Sequence, residues 1–91
     1  MQKKTKGQKL SATNVDKEIG LLVKYKREHK QTFTNGAWKQ EDVAKLINVS
    51  SHQYQKYEGG KDRISISTLI KLANLLEFTD EDKLAIFKIT E

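Results

Sequence analysis

The stretch VAKLINVSSHQYQKYEGGK, Val43 to Lys61, reads as two short helices separated by a break. Apolar residues recur at helical spacing up to Ile47, and this pattern then stops over 48–50. A second helical pattern follows and ends at a glycine pair, where helices commonly terminate. Helices this short are marginal in water, so packing against the rest of the chain must hold both. The stretch therefore predicts two helices fixed at an angle by a short turn.

Length and composition predict one small all-α domain. The chain has 91 residues, of which 36% are hydrophobic and 32% are charged, and its apolar spacing is helical nearly throughout. This length allows a single core but not a second sensor domain. No apolar run approaches the roughly 18 to 20 residues that a membrane-spanning helix needs, and no signal-peptide stretch follows Met1. We therefore expect a cytoplasmic protein.

The residue types give little support for a catalytic site or a metal site. The sequence has no cysteine, and its two histidines, His29 and His52, are too far apart to suggest a local metal pair. It also lacks a glycine-rich phosphate loop and an acid/base pair in an evident pocket. We expect no metal, no cofactor and no enzymatic activity.

The charge is unevenly distributed. The net charge of +5 favours a polyanionic partner, and four lysines lie within the first nine residues. Residues 78–91 hold two lysines and four acidic residues, a balance of −2. Residues 1–13 lack an apolar period and are predicted to form a disordered basic tail ahead of a single domain over 14–91. The tail is either a solvated segment or a basic arm that contacts phosphates.

The first two helices follow from apolar stripes. The first is predicted to begin near Asn14, with Thr13 or Asn14 as its cap, and to end near His29. Its stripe consists of Val15, Ile19, Leu22 and Val23. The second is predicted over about 40–47. Lys39 precedes it and is a poorer cap than Ser, Thr or Asn.

The last three helices carry capping signals. Ser50 is predicted to cap the third, with Gln53 completing a capping box, and Gly59-Gly60 to end it. The fourth starts at Ser65 and is apolar on more than one face, which predicts a central position in the fold. The fifth is predicted to begin at Thr79, with Asp82 as the second member of its capping box.

The segment between the first two helices is not helical in pattern. Residues 32–38 place an Asn-Gly pair between β-favouring residues, which is the signal of a tight hairpin. Because a lone two-stranded hairpin is only marginally stable, we predict an ordered loop, or a small hairpin held by Phe33 or Trp38.

A family resemblance rests on a twenty-residue window that starts at Gln40. Its apolar positions, its small residue and its turn residue occur in a fixed register: Val43, Ala44, Ile47, Asn48, Val49, Tyr54 and Tyr57. Ala44 must be small because the next helix crosses close to it, and Asn48 tolerates a positive φ. The stretches QEDVAKLINVSSHQYQKYEGGK and ISISTLIKLANLLEF resemble the Cro/repressor-type, or XRE-type, helix-turn-helix family in register. The resemblance covers roughly residues 19–78 and implies an all-α, five-helix lambda-repressor-like DNA-binding domain, with the motif at about 40–59.

The resemblance implies a base-reading role for the third helix. Such a helix lies in the major groove, where each base pair presents a distinct set of donors and acceptors. The polar side chains not needed by the core are the candidate base readers: Ser51, His52, Gln53, Gln55 and Lys56. In the family, contacts come chiefly from the positions of Ser51, His52 and Lys56. Lys56 could instead contact a phosphate or only solvent.

The resemblance also implies phosphate contacts and a structural ion pair. Gln40, Lys61 and Arg63 match the positions that contact phosphates, and otherwise form a solvated polar rim. Ser50 is a further candidate phosphate contact. Arg27 and Glu58 match a structural arginine–glutamate pair of related repressors. Tyr54 departs from the pattern because it is larger than the usual Ile or Val. It must either widen the gap between the second and third helices or extend its hydroxyl to the rim. The loop before Gln40 is also longer than usual in the family.

These features predict a sequence-specific, double-stranded DNA-binding transcription regulator that acts as a repressor, in the cytoplasm and associated with the nucleoid. A helix of this kind reads only a few base pairs, so a homodimer on a palindromic operator is expected. The candidate dimer surface is the fifth helix, with Leu84, Ile86, Phe87 and Ile89. Alternatively, Leu84 and Phe87 close the core of the monomer. The alternative functions are an antitoxin that binds a toxin and represses its own operon, and a protein-interaction module with the same fold.

Overall fold

Five α-helices follow one another along the chain, and the computed structural model describes residues 14–30 and 38–89. The helices are α1 (Asn14–His29), α2 (Gln40–Leu46), α3 (Ser51–Glu58), α4 (Ile66–Leu75) and α5 (Asp80–Ile89). No strand occurs within the described residues, so the prediction of an all-α, five-helix fold is confirmed. The predicted basic tail over 1–13 and the hairpin signal at 35–36 lie outside the described residues. None of the described helices is long and apolar enough to cross a membrane.

The turn between α2 and α3 has the predicted left-handed residue. Asn48 has a φ of 63°, and the amide of the following Val49 donates to the Ala44 carbonyl oxygen at 3.0 Å. Among non-glycine residues asparagine is one of the few that adopt this conformation readily. The turn therefore fixes the direction in which α3 leaves α2.

The predicted caps are only partly as expected. The Ser50 hydroxyl accepts a hydrogen bond from the Gln53 backbone N–H at 3.0 Å, which confirms Ser50 as the cap of α3. The reciprocal half of the capping box, from the Ser50 backbone N–H to the Gln53 side chain, is not formed, and the Gln53 amide donates to Asp62. At α2, Lys39 supplies no capping oxygen, but the Asp42 carboxylate accepts from the Lys39 backbone N–H at 3.1 Å. At the far end of α3 only Gly60 is left-handed, with a φ of 68°.

The core is centred on the two helices of the motif. Its buried apolar side chains come from α1, from α2 and the residue after it, from α3, and from α4 and the connection after it: Val23, Val43, Ala44, Ile47, Tyr54, Leu72, Leu76 and Phe78. The predicted apolar positions of the motif are thus inside, with Val49 and Tyr57 half-buried at its edge.

Helix α4 is not central, and that prediction is wrong. Leu72 is its single fully buried residue, whereas Ile66 is 75% exposed and Ile70 is 55% exposed. Residues 66 and 70 are four apart and therefore share one face. One face of α4 packs on the core, and Ile66 and Ile70 are exposed on another face.

Helix α5 is anchored at its start and exposed further along. The predicted capping box is confirmed, with Asp82 N donating to Thr79 Oγ1 at 3.1 Å and Thr79 N to Asp82 Oδ2 at 2.7 Å. The same carboxylate lies 2.9 Å from Lys26 Nζ on α1. Ile86 packs against the core, while Leu84 and Phe87 are 56% and 67% exposed. The alternative in which Leu84 and Phe87 close the core is therefore wrong.

Helix α1 crosses α3 at Gly20 with almost no space between the backbones. A Cβ atom at Gly20 would lie 2.8 Å from the Glu58 carbonyl oxygen and would also clash with the Tyr57 carbonyl oxygen. Real Cβ atoms do not approach backbone this closely, so any side chain here would force the helices apart. Glycine at this position sets the distance between α1 and α3.

We predict that Gly20→Ala destabilises the fold by about 3 kcal/mol, at the upper end of overpacking costs, because backbone oxygens cannot move aside like a side chain. Denaturant unfolding followed by circular dichroism measures the change. Gly59→Ala is the matched control: Gly59 has a φ of −80°, so alanine there should change the free energy of unfolding by less than about 1 kcal/mol. Equal losses in the two variants would contradict the close crossing.

Candidate nucleic-acid interface

The outward face of α3 is polar. Tyr54 and Glu58, four residues apart, face the core, and helix geometry places His52 and Lys56 on the opposite side. Ser51, His52 and Gln55 are exposed, and Gln53 and Lys56 are half-buried. All five predicted base readers therefore lie on α3 outside the core. No apolar side chain interrupts this face.

One predicted reader, Gln53, is already engaged within the protein. Its Nε2 donates to Asp62 Oδ2 at 2.7 Å, and Asp62 Oδ1 accepts from the Arg63 backbone N–H at 3.0 Å. Asp62 lies in the connection between α3 and α4 and was not predicted as a site residue. No local sequence signal indicates this contact.

The predicted phosphate-contacting residues differ in exposure: Gln40 begins α2, Ser50 precedes α3, and Lys61 and Arg63 lie in the connection between α3 and α4. Lys61 and Ser50 are exposed. Gln40 is half-buried, and its Nε2 donates to Glu58 Oε1 at 2.8 Å. Arg63 is half-exposed, with its Nε 3.4 Å from Oδ1 of the buried Asp16 on α1. Gln40 and Arg63 thus carry structural contacts as well, which sequence reasoning missed.

The Arg27–Glu58 ion pair predicted from the family resemblance is present and buried. Arg27 Nε donates to Glu58 Oε2 at 2.6 Å, and Arg27 Nη2 donates to Glu58 Oε1 at 3.0 Å. Arg27 Nη1 also donates to the Trp38 carbonyl oxygen at 2.9 Å. This bidentate arrangement joins α1, α3 and the chain segment that enters α2.

The ion pair shifts the pKa of both partners. Burial by itself would raise the pKa of Glu58, but the interactions of its carboxylate with Arg27, Tyr54 and Gln40 outweigh burial and lower that pKa below its ordinary value. The Glu58 carboxylate raises the pKa of Arg27. Both residues are therefore charged at neutral pH, and Glu58 stays charged in moderately acidic solution.

The Tyr54 hydroxyl remains inside and does not extend to the rim of the domain. The residue is fully buried, and its hydroxyl lies beside the Glu58 carboxylate. Burial first, and the neighbouring Glu58 carboxylate second, raise the pKa of this phenol far above its ordinary value. The large side chain therefore fills the junction of the helices next to the ion pair.

His29, the histidine outside α3, lies away from the candidate interface helix. His29 is exposed at the end of α1, where its ring stacks on Tyr25 with 4.0 Å between centroids. Across residues 14–30 and 38–89, no group of three His, Asp or Glu side chains is arranged to hold a metal ion.

Comparison with known proteins places this arrangement in a family. Residues 23–84 match the sequence model of a family described as Helix-turn-helix, over more than half of the chain. The chain belongs to the XRE-type helix-turn-helix family. It is also 40% identical over 63 residues to an uncharacterized transcriptional regulator in the ATPase CF(0) region of Rhodospirillum rubrum. That match covers 69% of this chain and 53% of the relative, so the chain spans about half the length of the curated relative it matches. No solved structure matches the chain.

We predict that Glu58→Gln lowers the free energy of unfolding at neutral pH by about 3 kcal/mol, because Arg27 then remains buried without its counter-charge. The folded-state pKa of Glu58 lies below its ordinary 4.5. Its contribution is thus fully present above about pH 4.5 and is lost as the pH falls through the lower, folded-state value.

The difference between wild type and Glu58→Gln should accordingly shrink below about pH 4.5. Urea unfolding at several pH values measures it. Glu28→Gln serves as the control, since Glu28 is half-exposed and only 4.0 Å from Arg27, and should cost less than about 1 kcal/mol. A pH-independent difference would exclude the proposed ionisation of Glu58.

Proposed function

We propose that this protein is a sequence-specific, double-stranded DNA-binding transcription regulator. The observation that carries the proposal is the outward face of α3: a row of polar side chains on a short helix whose direction is fixed by the Asn48 turn. A helix of this size fits the major groove, and such side chains match the donors and acceptors of base edges. Membership of the helix-turn-helix family supports the same function.

In this proposal the centre of the face reads bases. His52 and Lys56 lie opposite the buried Tyr54, and Lys56 can donate to guanine O6 and N7. Ser51, Gln53 and Gln55 flank them. Lysine is also a common phosphate ligand, so the role of Lys56 requires a test of base preference rather than of affinity.

Residues at the helix ends position the domain on the backbone. Lys61 and Ser50 are exposed beside α3 and can contact phosphates directly. Gln40 gives one amide hydrogen to Glu58, so a phosphate would use the second one. To contact a phosphate, the Arg63 guanidinium would have to leave Asp16 or bind Asp16 and the phosphate together. Arg63 is therefore the weakest candidate of the four.

A homodimer on a palindromic operator completes the proposal. The exposed Leu84 and Phe87 lie on α5 with the half-buried Ile86 and Ile89. An apolar groove of about 780 Å³ extends this surface toward Ile70 on α4. A second copy of the chain would cover this surface, and two copies would read two half-sites about 10 base pairs apart.

The proposed regulatory role is repression of transcription. The named relative is a transcriptional regulator, and a dimer bound across a promoter can repress by steric occlusion. We propose a repressor in the cytoplasm, associated with the nucleoid. The antitoxin alternative keeps DNA binding and adds a toxin. The interaction-module alternative predicts weak DNA binding that is insensitive to the α3 residues.

The DNA proposal predicts that the protein selects a palindrome from a random pool and that its affinity falls with salt, with a log–log slope of about −0.9 per neutralised phosphate. Binding titrations at several salt concentrations measure the slope. Lys61→Ala should weaken all sequences alike and reduce the slope by about 1, because it removes a phosphate contact.

Lys56→Ala is the matched comparison, since Lys56 lies on α3 and Lys61 in the connection that follows it. It should change which bases are preferred, by about 1 to 3 kcal/mol at one position of each half-site. If Lys61→Ala changed the base preference and Lys56→Ala weakened all sequences alike, Lys61 would be the base reader and Lys56 the phosphate contact. An affinity that does not respond to salt would overturn DNA binding itself.

The dimer proposal predicts that Phe87→Glu lowers the mass measured in solution from that of two chains to that of one, because a buried unpaired charge at the contact opposes association. Light scattering coupled to size exclusion measures it. Leu46→Glu is the control, since Leu46 is 58% exposed on α2, away from α5, and its replacement should leave the mass unchanged. A wild-type monomer would refute the α5 surface.

A further inference from the structure

The side-chain amide of Gln53 is held by a carboxylate from outside its own helix. The Gln53 Nε2 to Asp62 Oδ2 distance of 2.7 Å is typical of a charge-assisted hydrogen bond. Asp62 is fixed in turn, because its other oxygen accepts from the Arg63 backbone N–H. The Gln53 backbone N–H is bound to the Ser50 hydroxyl. The reader is therefore anchored at both its backbone and its side chain.

The Asp62 carboxylate fixes the orientation of the Gln53 amide. An ionised Asp accepts hydrogen bonds and cannot donate them, so the nitrogen of Gln53 must face Asp62. The oxygen of the amide then lies on the other side, together with the second amide hydrogen. Without Asp62 the amide could turn, and it could present both of its N–H groups outward.

The bases differ in what they offer such an amide. In the major groove adenine presents the N6 donor beside the N7 acceptor, whereas guanine presents two acceptors, O6 and N7. An amide with one acceptor oxygen and one remaining N–H pairs with adenine through two bonds. The same amide places its oxygen against an acceptor of guanine, which is repulsive.

We propose that Asp62 is a positioning residue that makes Gln53 select adenine over guanine at one position of each half-site. This inference rests on the proposed function, since it assigns a specificity role within the DNA-reading face. It also accounts for an acidic side chain at the rim of that face, between Lys61 and Arg63. A negative charge there weakens binding to every sequence, so a contribution to affinity does not explain it.

The test is a comparison of base preference by selection from a random DNA pool and by titration of half-sites that differ at one position. Wild type should prefer adenine by roughly 5- to 150-fold at the Gln53 position. Asp62→Ala should reduce this preference to within about threefold while raising affinity for all sequences, because it releases the amide and removes a charge. Asp62→Asn should raise affinity but keep the preference, since its amide oxygen still accepts from Gln53.

A double variant separates positioning from a loop effect. In a Gln53→Ala background, Asp62→Ala should leave the base profile unchanged, because the residue acts through Gln53 alone. The inference would be overturned if Asp62→Ala alone left the base profile unchanged, or if Asp62→Asn and Asp62→Ala lost the adenine preference equally. Either result would leave DNA reading by α3 intact. Selection of no sequence by wild type would overturn the proposed function and the inference together. Circular dichroism confirms that each variant is folded.

Discussion

The carboxylate of Glu58 receives hydrogen bonds from two other helices, and the geometry of the motif depends on it. Arg27 reaches it from α1 through two nitrogens, and Gln40 reaches it from the first residue of α2. The helices of the motif are seven and eight residues long, too short to be stable alone. The guanidinium also holds the Trp38 carbonyl oxygen, which fixes the chain just before α2. One buried ion pair therefore ties the entry of α2 and the end of α3 to α1.

The contribution of this pair is orientation more than net stability. Burying two charges costs several kcal/mol of solvation, which their attraction offsets only with good geometry and full hydrogen bonding. The bidentate contact and the Gln40 amide supply that geometry. The Tyr54 hydroxyl is buried beside it, a polar atom that an isoleucine or valine would not have introduced. The large ring takes the place of the smaller residue while α2 and α3 remain joined through Glu58.

The sequence predicted the parts of the fold that depend on near neighbours. Helix positions, the Asn48 turn and the Thr79–Asp82 capping box follow from residues three or four apart, whose contacts are settled by helix geometry. The Gln53 side chain shows where this reasoning ends. Its spacing from Ser50 predicted a capping box, but the side chain extends to Asp62 in competition with Ser50, and a hydrogen bond to a carboxylate is roughly twice as strong as a neutral one. The competition depends on the path of the chain after α3, which no local pattern specifies.

The exposed apolar residues of α4 and α5 show a second reason why the sequence did not predict every contact. Hydrophobic spacing indicates that a face is to be covered, but it does not say whether the same chain or another copy covers it. Ile66 and Ile70 therefore suggested a central helix, although the structure leaves them exposed. Two contacts connect this exposed region to α3 through α1. Lys26 pairs with Asp82 between α1 and α5, and Gly20 forms the close crossing between α1 and α3. In the proposed dimer the two α3 helices would accordingly keep a fixed separation, because each link between the subunit contact and α3 is short and buried or charge-paired. A fixed separation would restrict the protein to operators with one half-site spacing, so the contacts of α1 would contribute to specificity without touching a base.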